Sequence, residues 1–168
     1  MNTDLVEVYD DFLDKRGLKY IKKNIIDNIY FPWYYSSFKV VPGDNEGQFF
    51  HMFYNGHNQN SDHYKFLEPI LNKINPSAIR RIKANMTHRS NDIKTFDFHT
   101  DFQGNFENQK TGIFYMNTNN GKTVFETGEE VDSIENRLLV FPAHLKHTGT
   151  THTDDTQMRC VINFNWYS

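Results

Sequence analysis

The sequence has little cysteine, no long hydrophobic run and no excess of basic charge, and each absence excludes a class of protein. Cys160 is the one cysteine among 168 residues, so no internal disulfide can form and a reducing compartment, the cytoplasm, is expected. Apolar runs such as 138–141 are too short to cross a bilayer, so no membrane association is expected. The net charge of −3 argues against a nucleic-acid partner, because proteins that follow a phosphate backbone usually present a basic face.

The chain has the length of one domain, and its aromatic content of 15% suits a β-rich core. Its pattern changes near residue 76. Before that point the periodicity predicts helices and aromatic strands. Ser61 is expected to cap a helical stretch in which Pro69 makes a kink or separates two short helices. The helix is predicted over 15–28, the strands over 33–41 and 49–54, and the kinked helical stretch over 61–74.

After residue 76 the pattern is one strand after another. The sequence Asn120-Gly121 favours a hairpin turn. A short basic stretch, Arg80, Arg81 and Lys83, is interpreted as a solvated strand face, with a substrate contact as the alternative. Many short strands at even spacing favour a sandwich or barrel with the N-terminal helices packed on one face. These strands are predicted over 78–86, 95–98, 112–116, 123–125, 136–141 and 158–167.

A possible metal site is formed by His99-Thr100-Asp101 together with His147. Residues i and i+2 of a strand point to the same side, so His99 and Asp101 deliver an imidazole and a carboxylate to one point. A histidine from another strand completes one triangular face of an octahedron. This arrangement leaves three open positions, as in non-heme Fe(II) oxygenases.

A His-x-Asp pair alone carries little information. Eight histidines and 13 aspartates placed at random in 168 residues give about 0.6 such pairs. A second pair, His152 with Asp154, has no histidine after it and is interpreted as a solvated loop. His144 competes with His147 as the third ligand, but it falls in a predicted turn and His147 is favoured.

The last predicted strand alternates between a polar and an apolar face. Arg159, Val161, Asn163 and Asn165 share one face, opposite the apolar face formed by Cys160, Ile162, Phe164 and Trp166. The polar face of a barrel strand can line a cavity instead of meeting bulk water. An arginine in such a cavity is expected to pair with an anion, and a carboxylate fits its planar guanidinium.

The order His99, Asp101, His147, Arg159 resembles the 2-oxoglutarate/Fe(II)-dependent dioxygenase superfamily. Within it the chain is similar to the prolyl-4-hydroxylase-like branch, in the style of short stand-alone members from phage and marine microbial genomes. The likeness covers residues 78–167, whereas the first 77 residues carry no motif. Four stretches carry it: 98–101, 115–126, 136–149 and 159–164.

The resemblance implies a mainly β fold with N-terminal helices, built as a double-stranded β-helix, which is a jelly-roll or cupin-like barrel. Residues 1–168 form one dioxygenase domain in this interpretation. Residues 1–77 supply helices and supporting strands, and 78–168 form the jelly-roll core. A viral source would place the protein in the host cytoplasm.

The resemblance also implies roles for individual residues. Its cofactors are Fe(II), 2-oxoglutarate as cosubstrate, and O2. Arg159 and the Tyr115 hydroxyl meet the distal carboxylate of 2-oxoglutarate, Asn163 lies near the cosubstrate, and Asn85 reaches its iron-side end. Asn165 and Arg89 lie nearer the substrate. The implied ligands of Fe(II), which are also the catalytic residues, are His99, Asp101 and His147.

The implied reaction is hydroxylation of a small-molecule or peptide substrate, with release of succinate and CO2. The carboxylate of Asp101 favours hydroxylation, because a halogenase of the superfamily has a small residue at that position. Three alternatives stay open: demethylation of a nucleobase, a cupin-like metalloenzyme that does not use 2-oxoglutarate, and a jelly-roll binding module without catalysis. The sequence leaves the substrate and the oligomeric state open.

Overall fold

The computed structural model describes residues 5–39, 47–104 and 107–168, and within them the chain is mainly β. No helix in these ranges is long and apolar enough to cross a membrane. The helices are α1 (Lys15–Asn24), a 3-10 helix (Asp62–Leu67) and α2 (Glu68–Ile74). The strands are β1 (Glu7–Tyr9), β2 (Tyr34–Ser36), β3 (Gln48–Asn55), β4 (Asn58–Gln59), β5 (Ala78–His88), β6 (Gln109–Tyr115), β7 (Lys122–Phe125), β8 (Glu130–Asp132), β9 (Leu138–Pro142), β10 (His147–Gly149) and β11 (Met158–Tyr167).

The strands form two antiparallel sheets. The large sheet has the order β1-β9-β6-β11-β5-β3-β2, with β4 paired to β3, and the small sheet has the order β10-β7-β8. β6 and β7 follow each other in sequence but lie in different sheets, as the crossovers of a jelly roll require. The predicted jelly-roll architecture is confirmed.

The large sheet separates two apolar clusters. The first lies between the sheet and the helices, and includes Ile21 and Ile70 from the helices and Ile82 and Phe164 from the sheet, all 2% exposed or less. The second lies between the two sheets and includes Phe125 of the small sheet. Each fully buried side chain of this kind contributes about 1.5–3 kcal/mol of transfer free energy, so both faces of the sheet are held in place.

The N-terminal helices follow local signals. Asp14 caps α1 by accepting a hydrogen bond from the Gly17 backbone N–H at 2.7 Å. The helix ends at Asn24, four residues earlier than predicted, and the Asn24 side chain donates back to the Tyr20 carbonyl at 2.7 Å. The predicted Ser61 cap is confirmed. Pro69, which lacks an N–H, lies in the first turn of α2 and divides the predicted helical stretch in two.

Two predictions about strands are wrong. The segment 95–98 forms no regular strand and is held only by isolated bridges, Thr95 to Thr150 and His99 to His147. Asn120-Gly121 forms no hairpin, because the strands on either side of it, β6 and β7, belong to different sheets. The Asn120 side chain bonds to the loop at Thr153. Of the strand predicted over 33–41, residues 34–36 form β2, and 40 and 41 lie outside the described residues.

Candidate metal centre and its cavity

A cavity of about 480 Å³ lies between the sheets, and β5 and β11 form its floor. Because the strands are paired, their cavity-facing side chains stand in rows across the large sheet. Arg81 faces Asn165, Lys83 faces Asn163, and Thr87 faces Arg159. The side chains between these positions, such as Ile82 and Ile162, point into the helix-covered core. The volume is in the range of small-molecule sites.

His99, Asp101 and His147 come together at one end of this cavity. Their ligand atoms lie within 4.8 Å of one another, and they are the one such group of histidine, cysteine and acidic residues that the described part of the chain contains. Two backbone hydrogen bonds join the histidines, from His99 N to His147 O at 3.1 Å and from His147 N to His99 O at 3.0 Å. The backbone therefore sets the spacing of the two imidazoles.

Both imidazoles are oriented by backbone carbonyls. Nδ1 of His99 lies 3.2 Å from the Asp97 carbonyl oxygen, and Nδ1 of His147 lies 3.3 Å from that of Leu145. A proton on each Nδ1 donates to the carbonyl and leaves Nε2 with a free lone pair. This is the usual arrangement of histidines that ligate a metal.

The carboxylate of Asp101 is held by two neighbours on the sheet floor. Arg81 makes an ion pair with Oδ1 at 2.8 Å, and the Asn165 amide donates to Oδ2 at 2.6 Å. Arg81 also donates to Asn165 Oδ1 at 3.1 Å, which closes a triangle. Burial alone would raise the pKa of Asp101. The positive charge of Arg81 and the Asn165 hydrogen bond have the larger, opposite effect, and the pKa is lowered to about 2. The carboxylate is ionised at neutral pH.

His147 is packed among aromatic rings. Its ring centroid lies 4.7 Å from that of Phe141 in an edge-to-face contact, and it is 4% exposed. Burial lowers the pKa of His147, although the charge of Asp101 opposes that change. The imidazole is therefore neutral at pH 7, the form that binds a metal.

The far end of the cavity contains a buried guanidinium. Arg159 is 7% exposed, and no acidic side chain of the described residues pairs with it. Its Nε donates to Ser133 Oγ at 3.0 Å, and its Nη2 lies 3.5 Å from Thr123 Oγ1. A Cβ on Gly121 would lie 2.9 Å from Arg159 Cδ, so glycine is required for this close approach. A buried cation without a counter-ion is costly unless a ligand supplies one.

The predicted partners of Arg159 lie beside it. Tyr115 is fully buried with its ring 5.8 Å from the guanidinium, and its hydroxyl donates to Thr123 Oγ1 at 2.7 Å. Asn85 and Asn163 line the cavity, and each has a buried Oδ1 with no hydrogen-bond partner among the described residues. The site thus has polar atoms that a ligand can satisfy between its two ends.

The two predicted substrate residues, Asn165 and Arg89, make contacts with other parts of the chain. Asn165 is occupied by Asp101 and by Thr111, to which its amide donates at 3.1 Å. Arg89 is exposed, is not among the residues lining the cavity, and donates to the Thr153 carbonyl at 3.1 Å. His144 is exposed, whereas His147 joins the cluster.

Two predictions about polar side chains near the site are wrong. His152 is fully buried, with Nε2 2.9 Å from the Thr156 carbonyl, so it does not lie in a solvated loop. Arg81 and Lys83 line the cavity between the sheets, so the interpretation of their strand face as a solvated surface is wrong. Their alternation with apolar residues placed them on one face of β5, but it does not distinguish a face that meets water from one that lines a cavity.

Comparison with family models gives no match, and comparison with curated proteins gives none either. Solved structures do match. A 2OG-Fe(II) oxygenase family oxidoreductase from Burkholderia pseudomallei aligns with a TM-score of 0.71 and 11% identity over 98% of this chain and 86% of its own. A prolyl hydroxylase from Trichoplax adhaerens, solved with a hypoxia inducible factor peptide fragment, aligns with a TM-score of 0.65 and 13% identity over 99% and 85%. HygX from Streptomyces hygroscopicus, solved with nickel and 2-oxoglutarate, gives 0.59 and 9% over 96% and 82%.

These likenesses show that the chain has the fold of the 2-oxoglutarate/Fe(II) oxygenases, so the resemblance seen in the sequence is confirmed at the level of the fold. Because the sequence identity to these structures is so low, a function can be inferred only from the side chains of the site itself.

Proposed function

We propose that the protein is a 2-oxoglutarate- and Fe(II)-dependent dioxygenase that hydroxylates a small-molecule or peptide substrate and releases succinate and CO2. The observation that carries the proposal is the pairing of two features in one cavity: the His99, Asp101 and His147 cluster at one end and the buried, uncompensated Arg159 at the other. The whole chain, residues 1–168, acts as one domain in this proposal, and the cytoplasm stays the expected location.

The three ligands fit the proposed metal. Two imidazoles and one carboxylate on a single face are the donor set of non-heme Fe(II) sites, and both histidines have Nε2 free for coordination. When bound, the iron would supply activation of O2, coupled to oxidative decarboxylation of 2-oxoglutarate. Arg81 and Asn165 hold the Asp101 carboxylate in one orientation, and the presence of this carboxylate favours hydroxylation over halogenation.

The opposite end of the cavity fits a carboxylate. Arg159 offers its planar fork, and Thr123 and Tyr115 offer hydroxyl groups beside it. Asn163 and Asn85 lie along the cosubstrate in this proposal, where their unpartnered amide oxygens call for a ligand or water. HygX, which shares the fold, was solved with 2-oxoglutarate bound, and this supports the choice of cosubstrate.

The class of substrate follows less directly. The Trichoplax prolyl hydroxylase was solved with a peptide, so a peptide is one candidate. The cavity volume and the net charge of −3 are more consistent with a small molecule than with a nucleic acid.

The proposal is tested by the visible spectrum of the anaerobic protein mixed with Fe(II) and 2-oxoglutarate. We expect a metal-to-cosubstrate charge-transfer band that is lost in His99→Ala and weakened in Arg159→Ala. His144→Ala removes an exposed histidine outside the cluster and should leave the band unchanged. A folded protein that retains no iron and gives no band would overturn the proposal and leave a jelly-roll binding module as the better account.

A further inference from the structure

The lining of the cavity is strongly cationic, although the chain as a whole is acidic. Four basic side chains reach it, Lys39, Arg81, Lys83 and Arg159, whereas Asp101 is the one acidic residue among the described residues that line it. The protein carries a net charge of −3. The cavity is therefore cationic in a chain of net negative charge, and this favours an anionic ligand.

Most of this charge already has a counterpart. Arg81 is paired with Asp101, and Arg159 is assigned to the cosubstrate under the proposed function. The two charges of Fe(II) balance those of 2-oxoglutarate. With iron and cosubstrate bound, the lining therefore keeps an excess of positive charge, and Lys83 contributes to it. A further anion would remove part of that excess.

Lys83 is the cation without an assigned counter-ion. No ion pair or hydrogen bond joins its ammonium to an acidic group in residues 5–39, 47–104 and 107–168. Its Nζ lies 5.0 Å from the centroid of the Phe50 ring. Burial and the charge of Arg81 lower the pKa of Lys83 to about 8, although the negative charge of Asp101 opposes the change, so at pH 7 most molecules still carry the charge.

Its position in the sheet separates Lys83 from the Arg159 end. Lys83 faces Asn163 on β11, one row above the Arg81–Asn165 pair that holds Asp101. Thr87, which faces Arg159, is four residues further along β5, or about 13 Å of strand. Lys83 is therefore at the metal end of the cavity, where a substrate must approach.

We propose that Lys83 binds an anionic group of the substrate, a carboxylate or a phosphate, and so directs the enzyme to small anionic substrates. This inference rests on the proposed function, since it takes the Arg159 end to be filled by 2-oxoglutarate. A second anion could occupy the same position beside Lys83, because 2-oxoglutarate also carries a carboxylate at its metal end. The experiment therefore separates the two anions.

The first measurement is the 2-oxoglutarate dissociation constant of Zn(II)-loaded protein, by calorimetry, for the wild type and for Lys83→Met. We expect the two constants to agree within about twofold. A tenfold or greater weakening in Lys83→Met would overturn the proposal and assign Lys83 to the cosubstrate. A wild-type protein that binds metal but no 2-oxoglutarate would instead contradict the proposed function.

The second measurement uses sulfate as the anion probe on the same protein with Zn(II) and 2-oxoglutarate bound. Lysine labelled with ¹³C at Cε gives one NMR signal per side chain, and the Lys83 signal is identified by its loss in Lys83→Met. We expect it to shift saturably with sulfate and not with dimethyl sulfone, an uncharged analogue. A Lys83 response no larger than that of the exposed Lys19, whose signal is identified with Lys19→Met, would overturn the proposal.

The third measurement is succinate release with Fe(II) on pairs of candidate substrates, each a carboxylate or phosphate with its neutral amide or alcohol. We expect turnover with anionic members, a KM at least tenfold higher in Lys83→Met, and recovery in Lys83→Arg. Equal turnover of a neutral and an anionic member would contradict the assigned role.

Discussion

Replacing Arg159 with methionine should weaken the binding of 2-oxoglutarate and at the same time stabilise the ligand-free protein. The guanidinium is 7% exposed and has only neutral oxygen atoms around it in the described structure, the nearest being Ser133 Oγ at 3.0 Å. Burial lowers its pKa, which reflects the cost of the charge in this place. Methionine has a similar length and carries no charge to desolvate.

The size of both effects can be estimated from the structure. Loss of one partner of a buried, hydrogen-bonded charge pair typically costs 2–5 kcal/mol, so the dissociation constant of 2-oxoglutarate should rise roughly 30-fold to 3,000-fold. Removing a buried charge that has no counter-ion should raise the free energy of unfolding of the ligand-free protein by about 1 kcal/mol. For a chain of this length that gain corresponds to an increase of about 2–4 °C in Tm.

The assay is calorimetric titration of Zn(II)-loaded protein with 2-oxoglutarate, combined with thermal unfolding without ligand. Arg137→Met is the matched control, because Arg137 pairs with Asp10 outside the cavity. The control should bind 2-oxoglutarate normally and lose a little stability. An Arg159→Met protein with affinity within threefold of the wild type, or with a clearly lower Tm, would refute the view that Arg159 is an uncompensated anion receptor.

Three further outcomes are expected. Because the pKa of Asp101 is lowered on folding, its ionised carboxylate stabilises the metal-free protein above about pH 4. Roughly 2 kcal/mol of the free energy of unfolding is lost as the pH falls to about 2. Urea unfolding should show this loss in the wild type and not in Asp101→Asn. Asn165→Ala removes a hydrogen bond to Asp101 and should weaken metal binding about 10-fold to 100-fold in a chelator competition; unchanged affinity would show that Arg81 alone orients the carboxylate. Gly121→Ala places a Cβ 2.9 Å from Cδ of Arg159. The affinity for 2-oxoglutarate should fall at least tenfold while the affinity for metal stays constant. Equal losses of the two affinities would indicate general unfolding of the site.

The predicted site residues that the structure brings together belong to segments with strong local signals. β11 alternates between apolar and polar residues except at Val161, so Arg159 and Asn163 were placed on one face from the period alone. His99 and Asp101 are two residues apart, and that spacing brings them to one side even though the segment before them forms no regular strand.

The failures came from features that depend on distant parts of the chain. The polar face of β5 has the same pattern whether it meets water or a cavity, and only the covering small sheet decides that Arg81 and Lys83 are inside. His152 lies in an irregular segment and is buried by its surroundings, which its own local sequence does not show. At Asn120 the local preference for a hairpin was outweighed by the arrangement of the strands, which places β6 and β7 in different sheets.

Alternate residues of strand β5 belong to two different parts of the molecule, the apolar core and the cavity. Ile82 and Ala84 are fully buried in the helix-covered core, while Arg81, Lys83 and Asn85 face the cavity. A point mutation at Lys83 or Asn85 therefore alters the cavity without a cost in core packing, and the metal ligands lie on other segments. Arg81 differs, because it holds the carboxylate of Asp101. Descendants of this gene can thus diverge in the molecules they act on through changes along a few alternate codons, and engineers can randomise those same codons for new selectivity.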